Sequence, residues 1–262
     1  SGDGRLLCLS TKRTGLEIWD LHRDESLRRE ELAIADLVAA DDACLVFGNG
    51  TAHLVPIAGA PRALASAATA IAYQEGSILV ATTDRILVLD TAGRQKQHYL
   101  VDKGATAIGQ VGEYLAVGYD AGDLELLPLA ATATKPSFGF ESVPATPVVR
   151  IVGGPTGTLI AGFSDGTLGM WELRNGARLD QWKLHGPVVY LQTAGSMLIA
   201  ATALGDYLVL DLATFTDDYC HVLREIWSSI PVVWENGLPV VRAPPTRHSC
   251  RRASASRQEV GH

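Results

Sequence analysis

Aromatic side chains make up only 6% of this 262-residue chain and charged ones 19%, while 47% of residues are hydrophobic. Aliphatic residues must therefore build the core, and they are numerous enough for a packed globular protein. No apolar run approaches the roughly 18–20 residues that a membrane-crossing helix needs, so no membrane partner is expected. Basic residues are scarce over the first 241 positions: 17 Lys and Arg stand against 28 Asp and Glu, a balance of −11. Such an acidic body excludes a broad phosphate-binding face, and nucleic acid is not expected as a partner. The balance for the whole chain is −7 because Arg242, Arg247, Arg251, Arg252 and Arg257 face one acid, Glu259, in the final segment. Cysteines number four (Cys8, Cys44, Cys220, Cys250), with no CxxC. Cys8 and Cys44 fall inside apolar runs, where a free thiol behaves as a small hydrophobe, which points to a reduced, cytoplasmic setting. The opening residues, SGDGRLL, lack the basic and apolar regions of a signal peptide.

Catalytic signatures are equally thin. The seven histidines form no HExxH or HxH pairing, so no catalytic metal is expected. Cys220-His221 and His248-x-Cys250 carry the two thiolates and two imidazoles that a structural zinc takes, but adjacent Cys-His is poor geometry for chelating one ion. Gly162-Phe163-Ser164-Asp165-Gly166 matches GxSxG, yet the nucleophile elbow needs a helix next and TLGMWEL reads as a strand. The Gly-rich stretch Gly153 to Gly157 has no following Lys-Ser/Thr, and Asp120, Asp123 and Glu125 form only a fragment of a calcium loop. Both are expected to be solvated turns. No cofactor is expected.

What is present is repetition. AGFSDGTLGMWEL, residues 161 to 173, reads as a hairpin whose turn is Ser164-Asp165-Gly166, since Asp and Gly tolerate the positive φ of a tight connection. Similar pairs of apolar strands recur five more times, beginning with RLLCLST, ACLVFGN, SILVATT, YLAVGY and MLIAAT. An acid or Pro near the end of each second strand marks the register: Asp20, Pro56, Asp90, Pro128, Glu172 and Asp211. The spacings of 36, 34, 38, 44 and 39 residues predict an all-β propeller of six to seven four-stranded blades, two strong strands and two fainter ones to each. Leading strands are read in AIADLVA, ATAIAYQ, ATAIGQV, TPVVRIV and PVVYLQT; polar outer strands in SLRREELA, RQKQHYLV and ARLDQWKL. The first unit lacks a leading strand. Either the C-terminal segment returns to supply it, or the chain belongs to a longer protein.

The residues resemble the WD40 family. The resemblance is carried by Ser164-Asp165-Gly166, Trp171-Glu172, Asn175-Gly176 and His185-Gly186-Pro187 in one unit and by Trp19-Asp20 in another. It covers residues 5 to 215 in pattern and two of six units in specific motifs. Structural turn and strand roles fall on Asp165, Gly166, Trp171, Trp19 and Asp20. Leu89-Asp90-Thr91-Ala92-Gly93 is also similar to the quinoprotein-type propellers. The WD40 resemblance implies a non-catalytic scaffold that presents loops to protein partners or to other domains of the same polypeptide, and in bacterial chains such rings accompany protease, kinase or NTPase domains. The quinoprotein alternative implies a small molecule bound in the central channel.

The propeller is assigned to residues 1–218. In 219–262, Val222, Leu223, Ile226, Trp227 and Ile230 fall at helical spacing, with Asp217 or Asp218 as N-cap. Asn236-Gly237 between apolar triplets is a hairpin turn, and a Pro-, Ser- and Arg-rich tail follows. The widest marker spacing falls in ATATKPSFGFESVPAT, which puts Phe138 and Phe140 in a loop of a chain with only five Phe. Aromatics on a rim loop are what protein interfaces use as anchors. The alternative is that both fold back as a satellite of the core.

Overall fold

The computed structural model describes residues 1, 4–11, 15–74, 76–129, 136, 138–141, 143–155, 157–215, 219–229, 232–241, 248 and 250. It divides into two compact units, Ser1–Leu210 and Asp211–His262.

The first unit is six antiparallel sheets in succession. Strands β1 (Leu6–Thr11), β2 (Gly15–Asp20) and β3 (Glu25–Glu30) form the first sheet, and β4 (Asp36–Ala39), β5 (Ala43–Gly48), β6 (Thr51–Pro56) and β7 (Arg62–Ser66) the second. The third comprises β8 (Ala68–Gln74), β9 (Ser77–Thr82), β10 (Arg85–Asp90) and β11 (Gln95–Leu100). The fourth is β12 (Ala107–Val111), β13 (Tyr114–Gly118) and β14 (Leu124–Pro128). β15 (Val148–Gly153), β16 (Thr158–Phe163), β17 (Thr167–Glu172) and β18 (Arg178–Lys183) make the fifth, and β19 (Val188–Ala194), β20 (Met197–Thr202) and β21 (Tyr207–Asp211) the sixth. Among the described residues, the first, fourth and sixth sheets thus have three strands instead of the expected four. Each of the five leading strands read from the sequence is present, and each packs against a strand of the sheet before it: β4 on β1, β8 on β5, β12 on β8, β15 on β12 and β19 on β15. This is a propeller-like arrangement.

The core lies between successive sheets. Leu6, Leu16 and Ile18 meet Val46 and Val55 between the first and second, and Leu79, Ile86 and Val88 meet Leu115 and Val117 between the third and fourth. Because both faces of a middle sheet are covered in this way, second strands such as β16, buried throughout, read as continuous apolar runs.

The markers have a physical role. The Asp20 carboxylate accepts the amides of His22 and Arg23 at 2.9 and 3.1 Å, and that of Asp90 accepts the Arg94 amide at 2.8 Å, so each acid closes the turn to the outer strand. At the two Pro markers the backbone carbonyl is used instead. Arg28 of β3 donates to the Pro56 carbonyl at 2.8 Å and the Tyr99 hydroxyl of β11 to that of Pro128 at 3.0 Å, tying each sheet to the next.

Two disulfides, Cys8–Cys44 and Cys220–Cys250, correct the expectation of free thiols. Cys8 and Cys44 lie in β1 and β5, at the same place in successive units, so one repeat length brings them face to face. Their bond joins the first sheet to the second.

In the second unit, a single 3-10 turn (Ala213–Phe215) precedes α1 (Tyr219–Ser229), and β22 (Val232–Glu235) pairs with β23 (Leu238–Val241). Asn236 and Gly237 take φ of 49° and 78°, as the expected two-residue turn requires. The ring of Trp227 meets His248 edge-on at 5.3 Å, and Arg224 donates to the Cys250 carbonyl at 3.2 Å. Asp217, Asp218, Ile230 and most of the Arg-rich tail fall outside the described residues.

Candidate functional site

The site is built around Trp171. Its indole crosses over Gly169 two positions earlier on β17, where a Cβ would overlap the ring, so only glycine lets the indole lie flat against its own strand. The fully buried ring meets Phe163 and Phe140 edge-on at 6.2 Å each, and Phe140 in turn meets Phe138 at 5.9 Å. The indole Nε1 donates to the Glu141 carbonyl at 2.8 Å, and the Glu141 amide donates to Gly176 at 2.9 Å. The segment around 138–141 leaves the fourth sheet and is fastened to the fifth. Phe138 and Phe140 are half-buried here, packed on the core between those sheets, and the faces they keep open form one wall of a cleft.

The cleft has a volume of about 340 Å³ and is lined by Pro136, Phe138 and Phe140 on one side and by Lys103, Tyr119 and residues 123–126 on the other. Lys103 Nζ lies 4.3 Å above the Tyr119 ring and 2.6 Å from Asp123, placing a cation between an aromatic face and a carboxylate. The nearly buried Tyr119 hydroxyl donates to Glu125 at 2.6 Å. Burial, the bond to Glu125 and the charges of Asp102 and Asp123 push the phenol pKa well above its ordinary value, so Tyr119 stays a neutral donor. The cleft therefore has an apolar aromatic side and an acidic side. Leu124 and Leu126, on the last described strand of the fourth sheet, also line it.

The other residues singled out in the sequence do not join this cleft. Asp165 holds its turn by accepting from the Thr167 amide at 2.9 Å and from Lys183 at 2.7 Å. Burial works to raise its pKa, but Lys183 and Thr167 outweigh it and hold the carboxyl below its ordinary value. The Gly166 amide donates to Phe163, so the GxSxG match is a turn between β16 and β17. Trp19 and Asp20 end β2 in the first sheet. Cys220 and Cys250 are bonded to each other, so neither is a thiolate for the zinc set with His221 and His248. No group of three His, Cys, Asp or Glu among the described residues is arranged to hold a metal.

Lys103, Tyr119 and Leu126 were not singled out in the sequence, and Asp123 and Glu125 were read only as a turn. A second polar pair lies elsewhere. Arg150 of β15 meets Asp36 of β4 at 2.6 Å and donates to the Val189 carbonyl at 3.0 Å, joining the leading strands of the second, fifth and sixth sheets. Burial raises the Asp36 pKa, opposed by the Arg150 charge.

No family model and no curated protein matches the chain. Solved structures do resemble it in fold. The computationally designed Ika8 protein matches with TM-score 0.56 and 18% identity over 79% of this chain and 67% of its own. A chain of the mitotic checkpoint complex matches with TM-score 0.56 and 11% identity over 69% of this chain and 62% of its own.

Proposed function

We propose that this chain is a non-catalytic protein-interaction module of the WD40 type, and that its docking site is the cleft between the fourth sheet and the segment around Phe138 and Phe140. The observation that carries the reading is the pair of half-buried Phe rings, fixed edge-on to Trp171 beside an open cleft. Rigid aromatic anchors presented without further ordering are what binding surfaces use, because little side-chain entropy remains to be lost. A neighbour of like fold belongs to a multiprotein assembly, which agrees with this reading. The partner is a separate protein or another domain of the same polypeptide. Two disulfides persist best in an oxidising compartment, so we place the working protein there and not in the reduced cytoplasm.

Affinity purification of the tagged chain from native extract, with mass spectrometry, tests the reading. A stoichiometric partner is expected, and Phe138→Ala with Phe140→Ala is expected to release it. A partner retained by that variant moves the site elsewhere; a small molecule released on denaturation, with no protein partner, would favour the channel-binding alternative.

A further inference from the structure

The two disulfides sit in opposite surroundings. Cys8 and Cys44 lie in β1 and β5, 8% and 0% exposed, among Leu6, Leu16, Ile18, Val46 and Val55. A thiolate released there would be stranded in aliphatic core, and an attacking thiolate would have to enter that core first, so this bond is protected twice over. Cys220 and Cys250 belong to the second unit. Cys220 is the second residue of α1 and is only half-buried, whereas Cys250 is 1% exposed. One cysteine of this pair is therefore within reach of a reagent and the other is covered.

The charges around the pair are unequal too. Arg224, one turn along α1, donates to the Cys250 carbonyl at 3.2 Å, which holds a guanidinium beside Cys250. Ahead of Cys220 the sequence has Asp217 and Asp218. A neighbouring cation stabilises a thiolate and neighbouring acids disfavour it, so Cys250 is the better leaving group and Cys220 the better point of attack. Access and charge point the same way. The Cys250 amide also donates to His248 Nδ1 at 3.2 Å, and the His248 ring rests on Trp227, so the bond closes a small assembly of α1 with the Arg-rich stretch around Cys250.

We propose that Cys220–Cys250 is an exchangeable disulfide, opened by the thiolate of a dithiol protein attacking Cys220, and that its reduction opens the second unit while Cys8–Cys44 keeps the first closed. In the first step the incoming thiolate bonds to Cys220 Sγ as the Sγ–Sγ bond breaks, and the electron pair leaves on Cys250, which takes a proton from water. In the second, the reductant's other thiolate attacks its own sulfur in the mixed disulfide. Cys220 leaves and is protonated in turn, and the reductant departs as a disulfide, having supplied two electrons and two protons. A unit as short as Asp211–His262 buries too little apolar surface to be more than marginally stable, so losing a cross-link that spans 30 positions frees the stretch around Cys250 from α1.

The test uses the full oxidised chain under native conditions, with dithiothreitol or glutathione as the probe thiol, acid quenching, alkylation of the thiols formed and peptide mass spectrometry. In dithiothreitol, Cys220 and Cys250 are expected to be reduced at least about tenfold faster than Cys8 and Cys44. In glutathione, the mixed disulfide is expected on Cys220. Arg224→Gln should slow the opening about threefold, and Arg224→Lys, which keeps the charge, should restore most of the rate, with circular dichroism checking that α1 forms. After reduction, hydrogen exchange should quicken across α1 and stay unchanged across β5, β9 and β16. Equal rates for the two bonds, earlier opening of Cys8–Cys44, or glutathione carried on Cys250 would each overturn the proposal. Arg224→Lys as slow as Arg224→Gln would overturn the part given to its charge, and reduction that leaves exchange across α1 unchanged would overturn the opening of the second unit.

Discussion

At the scale of single residues, Trp171 does two jobs. It fills the core between the fourth and fifth sheets and holds the segment around Glu141 in place. Trp171→Ala is expected to cost about 3–5 kcal/mol, the usual range for a fully buried large aromatic, read as a lower urea midpoint. The same variant should speed exchange of the Glu141 amide. Gly169→Ala should cost about 1–3 kcal/mol, since the added methyl must displace the indole. Charge enters through Asp84, whose pKa is held down to about 2 by hydrogen bonds from Arg85 and Thr82. A depressed carboxyl pKa means that its stabilisation is fully present above the unfolded value near 4 and is lost as pH falls through about 2. Thermal melts between pH 5 and pH 2 should therefore fall less steeply for Asp84→Asn than for the parent chain. Trp171 itself was legible in the sequence, because Trp followed by an acid ends an apolar run at the repeat spacing. The destination of Phe138 and Phe140 was not, because a loop without periodicity says which residues are surplus and nothing about which way they turn.

At the scale of elements, the paired apolar strands were legible from their own composition, since strands covered on both faces need no alternation. Links between distant elements left no such trace. Asp36 and Arg150 lie 114 positions apart, and nothing in either neighbourhood announces the other. Arg150→Met should leave a half-buried carboxylate unpaired at a cost of about 1–2 kcal/mol, below the value for fully buried pairs because both side chains keep some contact with water. Asp36→Leu combined with Arg150→Met should recover part of that loss. A double-mutant cycle by chemical denaturation measures the coupling, and strict additivity would show that the bridge contributes nothing. The Pro markers were legible as positions but not as contacts, because a carbonyl that accepts from a neighbouring sheet looks like any other in the sequence.

For the whole molecule, the disulfides carry the main correction. Cys8 and Cys44 sit 36 residues apart, the same distance that separates the first two markers, so the repeat itself held the signal that they share a position in adjacent sheets. Reading each thiol alone, as a small hydrophobe in its own strand, hid it. Closing a loop of that length is worth about 3–4 kcal/mol if it acts by restricting the unfolded chain. Melting with and without reductant should show a clear drop, and Cys8→Ala with Cys44→Ala should reproduce the share of it that this bond supplies, the rest belonging to Cys220–Cys250. A parent chain whose melting is indifferent to reductant would indicate that the bond does not form in the working protein.

The same bond has a mechanical consequence. The first sheet has no leading strand among the described residues. If it met the second sheet by side-chain packing alone, a pull on β1 could slide the two apart one contact at a time. With Cys8 fixed to Cys44, the load passes through a covalent bond into β5, a middle strand of the second sheet, so the two sheets share the strain instead of parting at their packed faces.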